Sequence, residues 1–266
     1  GEGVIVMTDA KALEVLNDDS GYQLVVEHDG DRKLLAFDYL LVSAGRQANV
    51  EDLGLEALGI TTTKAGTLEL NERLQTRLPN IWACGDLAGP YQLTHAAAHQ
   101  AWHAAVNALF GELKSFTVDY RYMPAVTYVQ PEVARLGLNE KEANAQGIAF
   151  EVTRYAMGES DRAIAEGATQ GFIKVLTVPG RDKILGATIV AENAGEWLSE
   201  FTLAMKHGLG LNKLLGTIHP YPTLGEAAKA TAGVWKNAHK PERVLALLKH
   251  YFNWRRGDKS AKTIDS

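Results

Sequence analysis

Along the first forty residues, apolar side chains come in short runs with turn residues between them. Runs at 4–7, 12–16, 22–27 and 33–37 alternate with polar breaks, among them Asn17-Asp18-Asp19-Ser20-Gly21 and Asp29-Gly30-Asp31. This pattern predicts a β-meander over residues 1–42, which needs partners because a small sheet alone buries too little. Leu40-Leu41-Val42-Ser43-Ala44 reads as a short buried strand ending at Gly45-Arg46, and 49–60 as loop and helical turn. A short strand at 68–70 leads to Ile81-Trp82-Ala83-Cys84, a buried-strand run broken by Gly85-Asp86. An alanine-rich helix then runs from about Thr94 to Leu109, closed by Phe110-Gly111-Glu112.

Beyond a short hinge at 118–121 the pattern changes. Strands are predicted at 126–129, 134–137, 149–155, 171–177 and 184–190, and Asn139 caps a helix over 140–145 that stops at Gly147. A helix over 196–207 carries Trp197, Phe201, Ala204 and Met205 on one side and ends at Gly208. Another covers 226–235. A last one opens after Pro241, with a stripe of Val244, Leu245, Leu248 and Phe252 and a basic end of Lys249, His250, Arg255 and Arg256. That stripe could lie on a membrane surface or pack on the domain or a second copy; Glu242 and Asn253 on the polar face favour packing. The order implies an α+β chain whose second part is an antiparallel sheet flanked by helices.

Composition narrows the function classes. The 266 residues, 46% hydrophobic, allow one large or two ordinary domains with a proper core. A net charge of −5 provides no basic field for nucleic acid. No apolar run reaches about 18 residues and the start, GEGVIVMTDA, has neither a cationic leader nor a signal core, so a cytoplasmic location is expected. Cys84 is the only cysteine, which excludes an internal disulfide and a Cys-only zinc site. A small apolar side chain in a buried strand is the preferred reading over a reactive thiol.

Candidate chemistry gathers at 76–98, where strand, carboxylate, loop and helix follow one another. Asp86 can accept hydrogen bonds from a sugar-like hydroxyl, and the helix after it points free N–H groups at an anionic or carbonyl oxygen. Together they suit a polyol attached to an electron-rich ring. Gly45 permits close backbone approach, and Arg46 can meet phosphate or carboxylate or serve as a salt-bridged loop residue. His95, His99 and His103 form one helical stripe; with no carboxylate in the same turn, partly buried polar histidines are preferred over a metal site.

Four blocks, in order, resemble the FAD-dependent pyridine nucleotide-disulfide oxidoreductases, the family of dihydrolipoamide dehydrogenase, glutathione reductase and mercuric reductase. They are SAGRQANVEDLGLEALGI from Ser43, TRLPNIWACGDLAGPYQLTHAAA from Thr76, MPAVTYVQPEVARLGLNEKEA from Met123 and HPYPTLGEA from His219. The resemblance implies a remnant of the NAD(P)-binding domain at 1–42, the end of the FAD-binding domain at 43–121 and a dimerisation domain at 122–266. It implies FAD and NAD(P)H as cofactors and a homodimer; with no nucleic acid expected from the charge, membrane contact is not expected of this part either. Gly45, Arg46, Gly85, Asp86, Gln92, Leu93, Thr94, His95 and Tyr128 match cofactor-binding positions, Gly45 near the nicotinamide and the backbones of Gln92 to His95 near the flavin O2 edge.

The family's GxGxxG loops are absent, so the chain is expected to be the carboxy-terminal portion of a longer enzyme, inactive alone and binding FAD weakly or not at all. Tyr221 and Glu226 match the catalytic loop, with Tyr221 where the disulfide reductases carry a histidine. Tyrosine is a poor base near neutrality but a good hydrogen-bond donor. A tyrosine there resembles the mercuric reductase branch, although no cysteine pair stands near the end of this chain. His219, two residues away, reads as structural, the Tyr221–Pro222 bond is expected to be cis, and Glu226 is expected to hold the loop or accept from Tyr221. The competing reading is a non-catalytic dimerisation module with remnant cofactor residues.

Overall fold

The computed structural model describes residues 3–19 and 21–257. The turn signal at Ser20 lies outside them. The chain divides into two compact units, Gly1–Ala101 and Trp102–Ser266.

The first unit opens with the predicted meander: β1 (Lys11–Asp18), β2 (Gly21–His28) and β3 (Asp31–Ala36) pair antiparallel in that order. At the second turn Asp29 and Gly30 take φ of 57° and 84°, the two left-handed positions that a two-residue hairpin favours. Only Val25 and Val26 of this sheet are buried. Residues 4–7 form no strand, and neither do 40–44, whose Leu41 and Val42 are 88% and 74% exposed. An apolar run becomes a strand only with a neighbour to bond, and neither run has one among the described residues.

The rest of this unit is built from turns around Leu55, Ile60, Leu68 and Ala83. The strands expected at 68–70 and 81–84 shrink to single bridges, Thr62 to Leu68 and Gln75 to Trp82. Cys84 is exposed, against the buried position expected of it. Gly85–Leu87 forms a 3-10 turn and α1 (Thr94–Phe110) follows.

The second unit is a five-stranded antiparallel sheet with helices on it. Its strands are β4 (Ala125–Thr127), β5 (Glu132–Gly137), β6 (Glu151–Ala156), β7 (Phe172–Thr177) and β8 (Ile184–Ala191), ordered β4-β5-β8-β7-β6. Alternation turns Ala134, Leu136, Ile173, Val175, Ala187 and Ile189 to one buried face. There they meet α4 (Ala194–Lys206), α5 (Leu211–Leu215) and α6 (Glu226–Ala238), whose Leu198, Phe201, Leu211, Ala228 and Trp235 complete the core.

The other face is tied to α2 (Glu140–Ala145) by charge. Arg135 and Lys174, at positions alternating with the buried ones, pair with Glu142 at 2.6 Å and with Glu140. Asn139 and Glu142 form a reciprocal capping box, so the predicted cap is present. The Arg135 guanidinium, followed by the Asn139 N–H, holds the Glu142 carboxyl below its ordinary value. Sequence patterning missed α3 (Asp161–Glu166) and α5, each too short for a periodic signal. The final helix, α7 (Glu242–Arg256), forms as expected, but its stripe is exposed: Val244, Leu245, Leu248 and Phe252 range from 41% to 51%. Among the described residues no helix is long and apolar enough to cross a membrane.

Candidate active site

The cofactor residues predicted in the first unit lie on two segments that meet. Gly45 takes φ +128°, and the guanidinium of Arg46 donates to the carbonyl oxygen of Gln92 at 2.5 Å. Gly85, at φ +78°, lets the chain turn sharply, and the following 3-10 turn carries the half-exposed Asp86. Thr94 and His95 open α1, whose first turn holds no acidic residue.

What fixes this turn was not foreseen. Gln100, fully buried one helical turn after Ala96, accepts from the Gly85 N–H and donates to the Gly89 carbonyl, both at 2.7 Å. Its amide completes the backbone bonding of the loop that carries Asp86. The available signal was a glutamine on the face of an alanine-rich helix that also carries Asn107, whose amide pairs with the Phe116 backbone at 2.6 and 2.8 Å. His95 and His99 are exposed and only His103 is buried, so the histidine stripe is not the partly buried row expected. Among the described residues no group of three or more His, Cys, Asp or Glu side chains is placed to hold a metal ion.

In the second unit, Tyr128 follows β4 and is 81% exposed. Tyr221 and Glu226 line one cleft of about 320 Å³, together with Tyr155, Asp161, Leu215 and Lys229. The loop that presents Tyr221 is pinned at both ends. His219 bonds Glu200 of α4 at 2.8 Å and the Thr217 carbonyl at 3.0 Å, which fits its structural reading. After Tyr221, the Thr223 hydroxyl donates to the Pro220 carbonyl at 2.8 Å and accepts from the Glu226 N–H at 3.3 Å. The Tyr221–Pro222 peptide is cis, as expected.

Of the two roles expected of Glu226, holding the loop or accepting from Tyr221, the second is corrected. The Tyr221 hydroxyl donates to Asp161 Oδ2 at 2.9 Å, and Glu226 is not its acceptor. Asp161 opens α3 sixty residues upstream, too far for any local pattern to reveal. This bond, ahead of the charges of Asp161 and Glu226, raises the pKa of the Tyr221 phenol above its ordinary value. Burial does the same to Tyr155 on the cleft wall.

Comparison with known proteins agrees with the division of the chain. Residues 1–101 match the family model described as pyridine nucleotide-disulphide oxidoreductase, and residues 123–232 match the dimerisation domain of the same family. Dihydrolipoyl dehydrogenase of Staphylococcus aureus is 35% identical over 231 residues, which is 87% of this chain and 49% of that protein. Among solved structures, LpdA from Mycobacterium tuberculosis aligns with a TM-score of 0.78 at 24% identity, over 86% of this chain and 49% of its own. The HOCl-induced flavoprotein disulfide reductase RclA from Escherichia coli gives 0.74 at 24%, over 85% and 51%. The two structures share the fold, and the chain spans about half the length of the relatives it matches.

Proposed function

The chain belongs to the pyridine nucleotide-disulphide oxidoreductase family, and from that premise we propose that it supplies the interface domain and part of the flavin site of an FAD-dependent enzyme, which passes electrons from NAD(P)H through a redox disulfide to a disulfide, metal or similar acceptor. The contact between Arg46 and Gln92 carries the reading. A segment assigned to the nicotinamide side and a segment assigned to the flavin lie in hydrogen-bond reach of each other. The residues fit the group: Asp86 is half-exposed, and the donors at the start of α1 face no carboxylate of their own turn. Asp86 would hold a ribityl hydroxyl, and the backbone from Gln92 to His95 the pyrimidine edge of the ring. Bound FAD supplies the two-electron chemistry. Tyr221 would serve the acceptor side only.

A homodimer is part of the same proposal, formed by the region from about Met123 onward. Apolar side chains stand exposed there, among them Val152 (45%), Leu203 (59%) and Ile218 (94%). Obligate interfaces of this kind often exceed about 2,000 Å². Light scattering should give a dimer at micromolar concentration, and a monomer would sink the interface reading. An absorbance scan of the same sample tests the flavin site. Substoichiometric flavin is expected, because the chain lacks the glycine-rich loop that anchors the pyrophosphate. A pairing module with remnant cofactor residues, the second reading, would stay colourless at saturating FAD.

The role of Tyr221 makes a further prediction. In the complete, flavin-loaded enzyme, Tyr221→Phe should lower acceptor turnover about tenfold, the scale of one lost hydrogen bond, and leave nicotinamide-dependent flavin reduction nearly intact. Stopped-flow absorbance separates the two half-reactions. If flavin reduction collapsed instead, Tyr221 would not belong to the acceptor side.

A further inference from the structure

Tyr221 is held by a residue that its own loop does not contain. The ring is 67% exposed and free to turn about two torsions, yet its hydroxyl is bonded to Asp161 at 2.9 Å. Around that bond the cleft brings together Glu159 from the 3-10 turn before α3, Asp161 from α3, Glu226 and Lys229 from α6, and Tyr155 from β6. A phenol has a single proton to donate. Once that proton points at Asp161, the oxygen lone pairs are what remains for anything that enters the cleft.

We propose that Asp161 is the positioning residue of Tyr221, fixing the hydroxyl so that it meets the electron acceptor as a hydrogen-bond acceptor or electron-pair donor and not as a proton donor. The inference rests on the reading of Tyr221 as an acceptor-side residue. It reverses the sense of the contact that the sequence suggests, in which the tyrosine donates. The class of group it fits is one with an N–H, O–H or S–H bond, or a cation, at the end that reaches Tyr221. The upward displacement of the Tyr221 pKa has the same origin, since an anionic neighbour that accepts the proton disfavours its loss.

The test uses protein labelled with 13C at the tyrosine ring carbon that bears oxygen. The Tyr221 signal, identified by its loss in Tyr221→Phe, should titrate above the ordinary phenol value of about 10. In Asp161→Ala and Asp161→Asn it should move to lower pH, and Asp161→Glu should restore it; if the alanine variant fails to fold, the isosteric asparagine variant decides. In the complete, flavin-loaded enzyme, acceptor turnover of Asp161→Ala should fall about as far as that of Tyr221→Phe, roughly tenfold. A titration that neither Asp161→Ala nor Asp161→Asn shifts overturns the pairing. A shifted titration with turnover retained, while Tyr221→Phe is impaired, overturns the positioning role. A Tyr221→Phe enzyme of normal turnover would instead overturn the functional reading and leave the pairing, read from the titration alone, intact.

Discussion

Phe201→Ala should destabilise the second unit by about 3–5 kcal/mol, the range for truncating a large buried aromatic side chain. Phe201 is fully buried on α4, in the cluster with Leu136, Ile189, Leu198 and Leu211 where helix meets sheet. Its ring cannot be replaced by small shifts, because interiors are packed near crystal density and neighbours relax only in part. For a unit of this size the loss corresponds to a drop in Tm of roughly 6–20 °C. Two residues along, Leu203 is 59% exposed, and Leu203→Ala, measured at a concentration low enough to dissociate the proposed dimer, should change stability by no more than about 0.5 kcal/mol. Urea titrations followed by circular dichroism measure both. Equal losses at the two positions would show that α4 is not docked through the face described.

Gly171→Ala should be comparably damaging for a different reason. Gly171 precedes β7 with φ +117°, and a Cβ there would lie 1.9 Å from the carbonyl oxygen of Val190 on β8. That atom is backbone in a paired strand, so the clash can be relieved only by parting β7 from β8, whose register joins Phe172 to Val190. A loss of about 3 kcal/mol or more is expected, beyond the roughly 1–2 kcal/mol of a left-handed residue alone. Gly180, at φ +68°, isolates the conformational part, because a Cβ there meets nothing within 4 Å. Gly180→Ala should therefore cost clearly less in the same thermal melts. If both variants melted together, steric exclusion at Gly171 would not be the cause.

These two positions show where sequence reasoning reached and where it stopped. Phe201 was legible because it lies with Ala204 and Met205 on one side of a periodic helix, and the strands of the second unit were legible from alternation. Asn139 announced α2 through a local hydrogen bond, which needs no tertiary context. The strand expected at 40–44 failed because apolar residues state a preference for burial without providing the partner that satisfies it. Cys84 failed in the same way, and its segment keeps a single bridge, from Gln75 to Trp82. In the candidate site, the loop from His219 to Glu226 was legible as a motif, but the acceptor of its tyrosine was not. The bond to Asp161 depends on a six-residue helix that follows a 3-10 turn and has too few residues to show a period. Gln100 was legible as a polar residue on an alanine-rich helix, but one glutamine there carries no information about which loop its amide will meet.

The exposure of Cys84 has an experimental consequence. Because it is the only sulfhydryl in the 266 residues and faces solvent immediately before Gly85 and Asp86, a maleimide fluorophore would attach to each chain once, at a known address. Its emission would then report the occupancy of the neighbouring Asp86 turn in real time, without any engineered substitution.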